Sequence, residues 1–316
     1  MTLLEANPAR PELLRQFRLF AIIGTWMEED VIGATVSNAF TQGCERVYLV
    51  DNESPDDTVA VARTAGATVL GSFSTPQYEE EMRVATMNAA VASLSAQESD
   101  EHIWWLLLDA DEFVHGSRSR SVREHLAALD RRFRVVGARY FNHYPSGSPG
   151  YVPGHHPLDF QPLCEELVYP MCVAGHRKHP LQRFDRDGAP IRCGLGAHTA
   201  VGTTPLLEPD DPIFLHHFPF REESTTRTRL ARLCEKGADG SVRARVGDDA
   251  TGHMYPRFRS LDAVYQGDWT HVENFLTDPV TLGVKLAPWE AQVSREDACV
   301  VRSIALTSNA VDGLAD

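Results

Sequence analysis

Asp109 and Asp111 flank a single alanine directly after the apolar run Ile103-Trp104-Trp105-Leu106-Leu107-Leu108. Two carboxylates at i and i+2, just past the end of a buried strand, can reach one divalent cation together. Carboxylate oxygen suits Mg2+ or Mn2+, which in turn hold diphosphate oxygens. A cation so placed stabilises charge developing on a leaving phosphate. The spacing alone is weak evidence, because Asp185-Arg186-Asp187-Gly188 shares it and reads as a polar turn. The preceding apolar run separates the two cases, since it buries a strand and aims Asp109 and Asp111 out of its end.

Those acids need a sheet to hold them. Four short apolar runs, 19–23, 47–50, 67–70 and 103–108, read as strands, the first buried on both faces and the second also buried. Between them, 29–42 reads as a helix ended by Gly43, 79–96 as another, and a third runs to Ala65 and is closed by Gly66. For that third helix Ser54 is an N-cap candidate, with Pro55 in the first turn and Asp57 completing a capping box. Strands alternating with helices imply an α/β fold with a mostly parallel central sheet flanked by helices. Ligands in such sheets lie beyond the carboxyl ends of the strands. Three of these ends carry polar groups, Thr25 to Glu28, Asp51, and Asp109 to Asp111, and they converge on one crevice.

After Asp111 the pattern changes. Residues 121–129 read as a helix and 134–141 as a strand; 143–212 is rich in Pro, Gly and His and reads as long functional loops with short strands. Residues 222–236 read as a helix stopped by Gly237, and 238–316 has no assignable pattern.

Residues 19 to about 113 resemble the nucleotide-sugar-binding half of family 2 glycosyltransferases with the GT-A fold. The matching pieces are Trp26-Met27-Glu28-Glu29-Asp30, Asp51 through Asp56, Arg83 through Asn88, and Leu108 through Phe113. The family usually has Asn-Glu where this chain has Met27-Glu28. The resemblance implies a metal-dependent enzyme that moves a sugar from a nucleotide-diphosphate sugar, UDP before GDP, to a hydroxyl-bearing acceptor. It implies donor contacts from Thr25, Glu28, Asp51, Arg83, Asn88 and Asp109, with Asp51 on the nucleoside base. A turn acid or a helix cap is the other reading of Asp51.

Leu215-His216-His217-Phe218-Pro219-Phe220-Arg221 resembles a His-x-x-x-Arg segment in one branch of these enzymes. The likeness makes His217 the third ligand, after Asp109 and Asp111, of Mn2+ or Mg2+, with His216 second choice, and puts Arg221 near phosphate. The basic cluster His176-Arg177-Lys178-His179 also matches, and Lys178 would offset diphosphate charge; a solvated surface cluster is the plainer reading. His198 sits in a glycine-rich loop that allows close ligand approach. A base for an inverting transfer is sought among Glu165, Glu166 and Asp185. Tyr144, Tyr151, Phe160 and Tyr169 offer stacking surface for an acceptor or simple core packing.

On this reading residues 1–240 form the catalytic domain, with donor binding at 19–113 and the acceptor side at 134–221, and 241–316 is a C-terminal extension. The formal net charge of −14 and the lack of a basic face exclude a general nucleic-acid binder. Met1 to Arg18 is mixed and charged, and the apolar run 103–108 is too short to span a bilayer, so a cytoplasmic protein with no integral membrane segment is expected. Six cysteines without a CxxC pair read as free thiols. The acceptor, whether sugar, natural product or lipid-linked glycan, is not encoded in these motifs, and neither is the oligomeric state. Rival classes are a metal-dependent hydrolase, suggested by eight histidines from His143 to His217, and a nucleotidyltransferase on a related fold. The first lacks a His-Glu-x-x-His spacing. The second would carry a basic, glycine-rich loop where this chain has the acidic Thr25 to Asp30. A non-catalytic sensor has less need of the Asp109/Asp111 pair.

Overall fold

The computed structural model describes residues 17–74, 80–99, 102–145, 150–166, 178–186, 188, 190–202, 206–236, 265–266 and 287–288. The four apolar runs are strands: β1 (Arg18–Thr25), β2 (Arg46–Asp51), β3 (Thr68–Ser72) and β4 (His102–Asp109). β1 lies between β2 and β4, β3 lies outside β2, and all three pairings are parallel. α1 (Ile32–Thr41) and α2 (Thr58–Thr64) pack on one face against Leu19, Ala21, Ile23, Trp104, Leu106 and Leu108. α3 (Glu80–Gln97) packs on the other, where Met87 joins Phe20, Ile22, Ile103, Trp105 and Leu107. Helices on both faces explain the apolar runs of β1, β2 and β4, whereas β3, at the edge, is largely exposed. Each such side chain withdrawn from water stabilises the fold by about 1.5–3 kcal/mol.

The sheet is mixed, and the expectation of a mostly parallel sheet holds only for β1 to β4. β5 (Glu112–His115) follows β4 after one turn, and α4 (Val122–Ala127) leads to β6 (Val135–His143). β7 (Leu163–Glu166), β8 (Lys178–Asp185), the small pair β9 (Ile191–Cys193) and β10 (Ala200–Gly202), and β11 (Ile213–His217) follow. β8 runs antiparallel to both β4 and β6, β7 antiparallel to β6, and β11 antiparallel to β5 but parallel to β6. Antiparallel neighbours need no helical crossover, and none of the described residues between β6 and β11 forms an α-helix. The stretch 143–212 therefore holds more regular structure than its composition suggests.

Two helix starts differ from expectation. α1 begins at Ile32, because Glu28 and Asp30 are engaged elsewhere. α2 begins at Thr58 with no side-chain cap. Ser54 turns instead to Asp51, its N–H donating to Oδ2 at 2.9 Å and its hydroxyl to Oδ1 at 2.6 Å. The Ser54 hydroxyl donates to that carboxylate and accepts from the Met27 N–H instead of from the first turn of α2. A capping box does form at α4, between Ser121 and Glu124.

α5 (Glu223–Lys236) follows β11. Of the expected C-terminal extension, Tyr265 and Gln266 are described, as is β12 (Ala287–Pro288), an antiparallel edge strand on β7; the rest lies outside the described residues. Cys44, Cys164 and Cys193 are buried. Among the described residues, no helix is long and apolar enough to cross a membrane.

Candidate active site

The carboxyl ends of β1, β2 and β4 lie side by side, with Thr25 opposite Asp51 and Gly24 opposite Asp109. The Thr25 hydroxyl is buried there and has no hydrogen-bond partner among the described residues. Asp51 is buried, and both its oxygens accept from Ser54, so it shapes the loop while keeping lone pairs for a ligand. Met27 adopts φ 56° and donates its N–H to Ser54 Oγ at 3.0 Å. Asparagine, usual in the resembled family, takes that left-handed conformation more readily than methionine.

Asp109 is held from two sides. Arg83 from α3 donates to Oδ1 at 2.6 Å and Lys178 from β8 donates to Oδ2 at 2.9 Å. A Cβ at Gly24 would stand 2.7 Å from Arg83 Nη1, so glycine clears the way for this side chain. Lys178 is 1% exposed and also donates to Glu112, whose other oxygen accepts the Asp109 N–H at 3.0 Å. Burial favours a neutral Asp109, but Arg83 and Lys178 outweigh it and hold the carboxyl well below the usual range. Burial likewise favours a neutral Lys178, and its two carboxylate neighbours keep it charged.

Asp111 is met more loosely. His217 Nε2 lies 3.5 Å from Oδ1, and Arg221 Nη1 and Arg229 Nη1 lie 3.5 and 3.9 Å from Oδ2. Burial raises the Asp111 pKa, but His217, Arg221 and Arg229 together lower it below the usual range. Arg221 is itself committed: Nε and Nη2 donate to Asp30 at 2.7 and 2.9 Å, Nη2 also reaches Glu28, and Nη1 donates to the Phe218 carbonyl at 2.9 Å. Arg229 from α5 donates to Glu28 as well. This network ties the loop after β1 to the segment after β11.

Strand register sorts the remaining candidates. His217 pairs with Glu112 of β5 and Asn142 of β6, and Asn142 pairs with Glu165 of β7. Paired residues share a face, so Glu165, Asn142, His217 and Glu112 form one polar row across four strands. His217 Nδ1 lies 2.8 Å from Asn142 Oδ1 and also meets the Tyr140 hydroxyl. Glu165 accepts from the Tyr144 hydroxyl at 2.6 Å. Glu166 and His216 face the other way. Glu166 makes a two-pronged pair with Arg139 at 2.6 and 2.7 Å. His216 meets His143 at 2.8 Å and His115 at 3.1 Å among Phe141 and Phe214.

Asp185 is far from this row. It pairs with His102 at the opposite end of β4, seven residues or about 23 Å from Asp109 at roughly 3.3 Å per residue. There it takes Arg134 and Arg183, both at 2.7 Å. Asn88 spends its amide on the backbone of Cys193, at 2.9 Å both ways, and so fixes β9 over α3. The His198 carbonyl faces His179 Nδ1 at 3.1 Å, and His179 Nε2 faces Glu208 at 2.8 Å. His176 and Arg177 lie outside the described residues. Glu112, Asp30, Arg229, Asn142 and Tyr140 were not singled out from sequence. Glu112 and Asp30 stand inside the quoted motifs, but nothing local signals the other three.

Among the described residues, no three His, Cys, Asp or Glu side chains make a ready metal cage. The structure brings Asp111 and His217 together, while Asp109 is occupied by Arg83 and Lys178. The arrangement still fits Mg2+ or Mn2+, which take few protein ligands and complete their shells with water and phosphate. Two ligands about 2.1 Å from one cation stand roughly 3 to 4.2 Å apart, and the Asp111–His217 separation of 3.5 Å falls in that range.

No protein-family model matches the chain, and a search of curated proteins found no match. Among solved structures, the chain is similar to the glucosyl-3-phosphoglycerate synthase of Mycobacterium tuberculosis, at 16% identity over 39% of this chain and 44% of that one, with a TM-score of 0.29. A second structure of that enzyme, with Mg2+ and uridine diphosphate, is 17% identical over 39% and 43%, with a TM-score of 0.27. The mannosyl-3-phosphoglycerate synthase of Rubrobacter xylanophilus is 18% identical over 41% and 43%, with a TM-score of 0.28. The chain thus spans less than half the length of these structures, and at such scores neither fold nor residue roles carry over.

Proposed function

We propose that the chain is a metal-dependent glycosyltransferase, moving a sugar from a nucleotide-diphosphate sugar, UDP before GDP, to a hydroxyl-bearing acceptor. The observation that carries this reading is the meeting of Asp111, at the end of β4, with His217, more than a hundred residues later, at 3.5 Å beside the open ends of β1 and β2. Asp111 and His217 would hold Mg2+ or Mn2+, with Asp109 close by. When bound, the cation would stabilise charge on the departing diphosphate.

The remaining roles fall to the chain's own groups. Asp51 accepts a hydrogen bond from the nucleoside, and the Thr25 hydroxyl supplies another contact beside it. Arg83 and Lys178 keep Asp109 ionised and present cationic charge to the diphosphate. Arg221, bound to Glu28 and Asp30, positions the loop after β1 more than it binds phosphate. Glu165 is the preferred base, since it shares the face of His217 beside Asn142; Glu166 faces the other way, and Asp185 lies at the far end of β4. His198, whose carbonyl meets the His179 ring, is kept as a further catalytic candidate. The domain division at residue 240 is kept, with β12 as a contribution of the extension to the sheet.

The hydrolase alternative loses its motive, because His115, His143 and His216 bond to one another instead of converging on a metal. The test is incubation with UDP- and GDP-sugars plus Mn2+. Nucleotide release or thermal stabilisation with one class of donor is expected, and neither response with any donor overturns the proposal.

A further inference from the structure

We infer that His179, charged and paired with Glu208, is a positioning residue that clasps the 194–199 turn over the α3 side of the Asp109 crevice and releases it on losing its proton. The part played in donor binding rests on the function proposed above; the clasp does not.

The turn joins β9 to β10 and packs against α3, β4 and β8. Its entry is pinned by Asn88, whose amide bonds both ways with the Cys193 backbone. Ala197 shares an apolar cluster with Met87 and Leu107. The charges of Arg83, Asp109 and Lys178 all act on the Cys193 thiol, so the turn borders the crevice. Gly196 and Ala197 both stand in the left-handed region, at φ 56° and 55°. Alanine seldom adopts that conformation and keeps it only where its surroundings hold it.

His179 holds the exit of the turn. Its Nδ1 lies 3.1 Å from the His198 carbonyl oxygen, and its Nε2 lies 2.8 Å from Glu208 Oε1. A carbonyl and a carboxylate only accept, so both nitrogens carry protons and the ring is a cation. With the shared proton on Glu208 instead, the pair would still hold one proton more than a neutral ring beside a carboxylate. Burial lowers the imidazole pKa, but the bond to Glu208, its charge and the His198 carbonyl outweigh burial and raise the value. Lys178, next along β8, is directed at Asp109 and Glu112, and Arg83 of α3 at Asp109. A neutral ring has one proton for two acceptors and must give up one of them. The hold is therefore complete below the ordinary value of about pH 6.5 and is lost as pH rises through the raised one.

The test uses the full chain with 15N-labelled histidine, His179 being assigned by comparison with His179→Gln. Its titration midpoint is expected above about 6.5, and about one pH unit lower in Glu208→Gln, a tenfold loss of proton affinity. Glu208 is a quarter exposed, so that variant should fold. The Gly194 and Ala197 amides, which bond to the Thr199 and Gly194 carbonyls, report the turn. Their hydrogen-exchange protection, corrected for the intrinsic rate, should fall tenfold or more as pH rises through the midpoint, and at lower pH in Glu208→Gln. Donor KM should rise across the same midpoint and move with it in the variant, with kcat changing less. A wild-type midpoint at or below 6.5, a midpoint unmoved in Glu208→Gln, or protection constant across the midpoint overturns the clasp. A donor KM that ignores the midpoint overturns the positioning role. Absence of transfer with every donor counts against the proposed function, while titration and exchange still decide the clasp.

Discussion

His217 and His216 are neighbours in β11 and live in different chemistries. The face of His217 carries Glu112, Asn142 and Glu165 and opens towards Asp109 and Asp111. The face of His216 carries Phe113, Phe141, Phe214 and two further histidines, packed as rings on rings. Both histidines are 2% exposed, so burial does not distinguish them. Their neighbours do. On one face imidazole sits among fixed charges and serves as a ligand or counter-ion. On the other it behaves as a polar aromatic whose nitrogens are spent on other rings. A one-residue change of register in β11 would exchange the two fates.

The largest test of this contrast is Asp111→Asn. It should remove metal-dependent turnover, a fall of at least about a hundredfold or on the order of 2.7 kcal/mol in the barrier. Circular dichroism should show the fold intact, because Arg221 and Arg229 keep Glu28 and Asp30. Full activity in this variant, or undiminished activity in EDTA, would reduce the charged face to a structural ion network.

Next comes the exchange of the histidines. His217→Ala is expected to lower turnover at least tenfold, about 1.4 kcal/mol, with the smaller cost in stability. His216→Ala is expected to do the reverse. It leaves His143 and His115 each short of a ring partner and opens a cavity, a loss of about 2–4 kcal/mol in urea unfolding. Turnover per folded molecule should stay within a few-fold. Equal kinetic effects from the two substitutions would mean that β11 does not separate two functions.

How much of this was legible follows from the same geometry. β4 was readable because helices bury both its faces, leaving an uninterrupted apolar run. β8 was not: Lys178-His179-Pro180-Leu181-Gln182-Arg183-Phe184-Asp185 has no such run, and Pro180 argues against a central strand. The acids at 109 and 111, the late histidine and Asp51 were visible as types at strand ends. Which of Glu165 and Glu166 faces His217 was not, since it depends on pairing between β7, β6 and β11 that no local pattern fixes. Asp185 was misplaced for the same reason, its antiparallel pairing with His102 carrying it to the wrong end of the sheet.

The aromatic face also has a pH signature. Burial pushes His143 and His156 down to about 3. Both are neutral in the folded chain and take up protons on unfolding below the ordinary value of about 6.5. The unfolded state then binds more protons, so stability rises with pH through this window. It is fully present above about pH 6.5 and lost progressively towards pH 3, opposed in the upper part of that window by Glu28, whose carboxyl burial raises to about 7. Urea midpoints at several pH values from 8 to 5 should fall on the acid side, less steeply in His156→Gln. A midpoint independent of pH would mean these rings are solvated or already charged.

The smallest effect is expected from the two glutamates of β7. Glu166 faces away from His217, bonded to Arg139, whose guanidinium lies 5.4 Å from the centroid of Phe141 and 5.2 Å from that of Phe214. The pair is just over a quarter exposed on each side, so solvent screens it, and Glu166→Gln should cost no more than about 0.5–1 kcal/mol. Turnover should be unchanged. Glu165→Gln removes almost no volume and should keep the Tyr144 hydroxyl bond to its carbonyl oxygen, so its stability cost is also small. If Glu165 is the base, however, its loss should lower kcat with little change in donor KM, because proton transfer contributes only in the transition state. The pair is informative as a ratio. A kcat loss in Glu165→Gln with none in Glu166→Gln assigns the acceptor hydroxyl to the His217 face. The opposite ratio would move it to the aromatic face and would break the contrast between the two sides of β11, whatever the metal result.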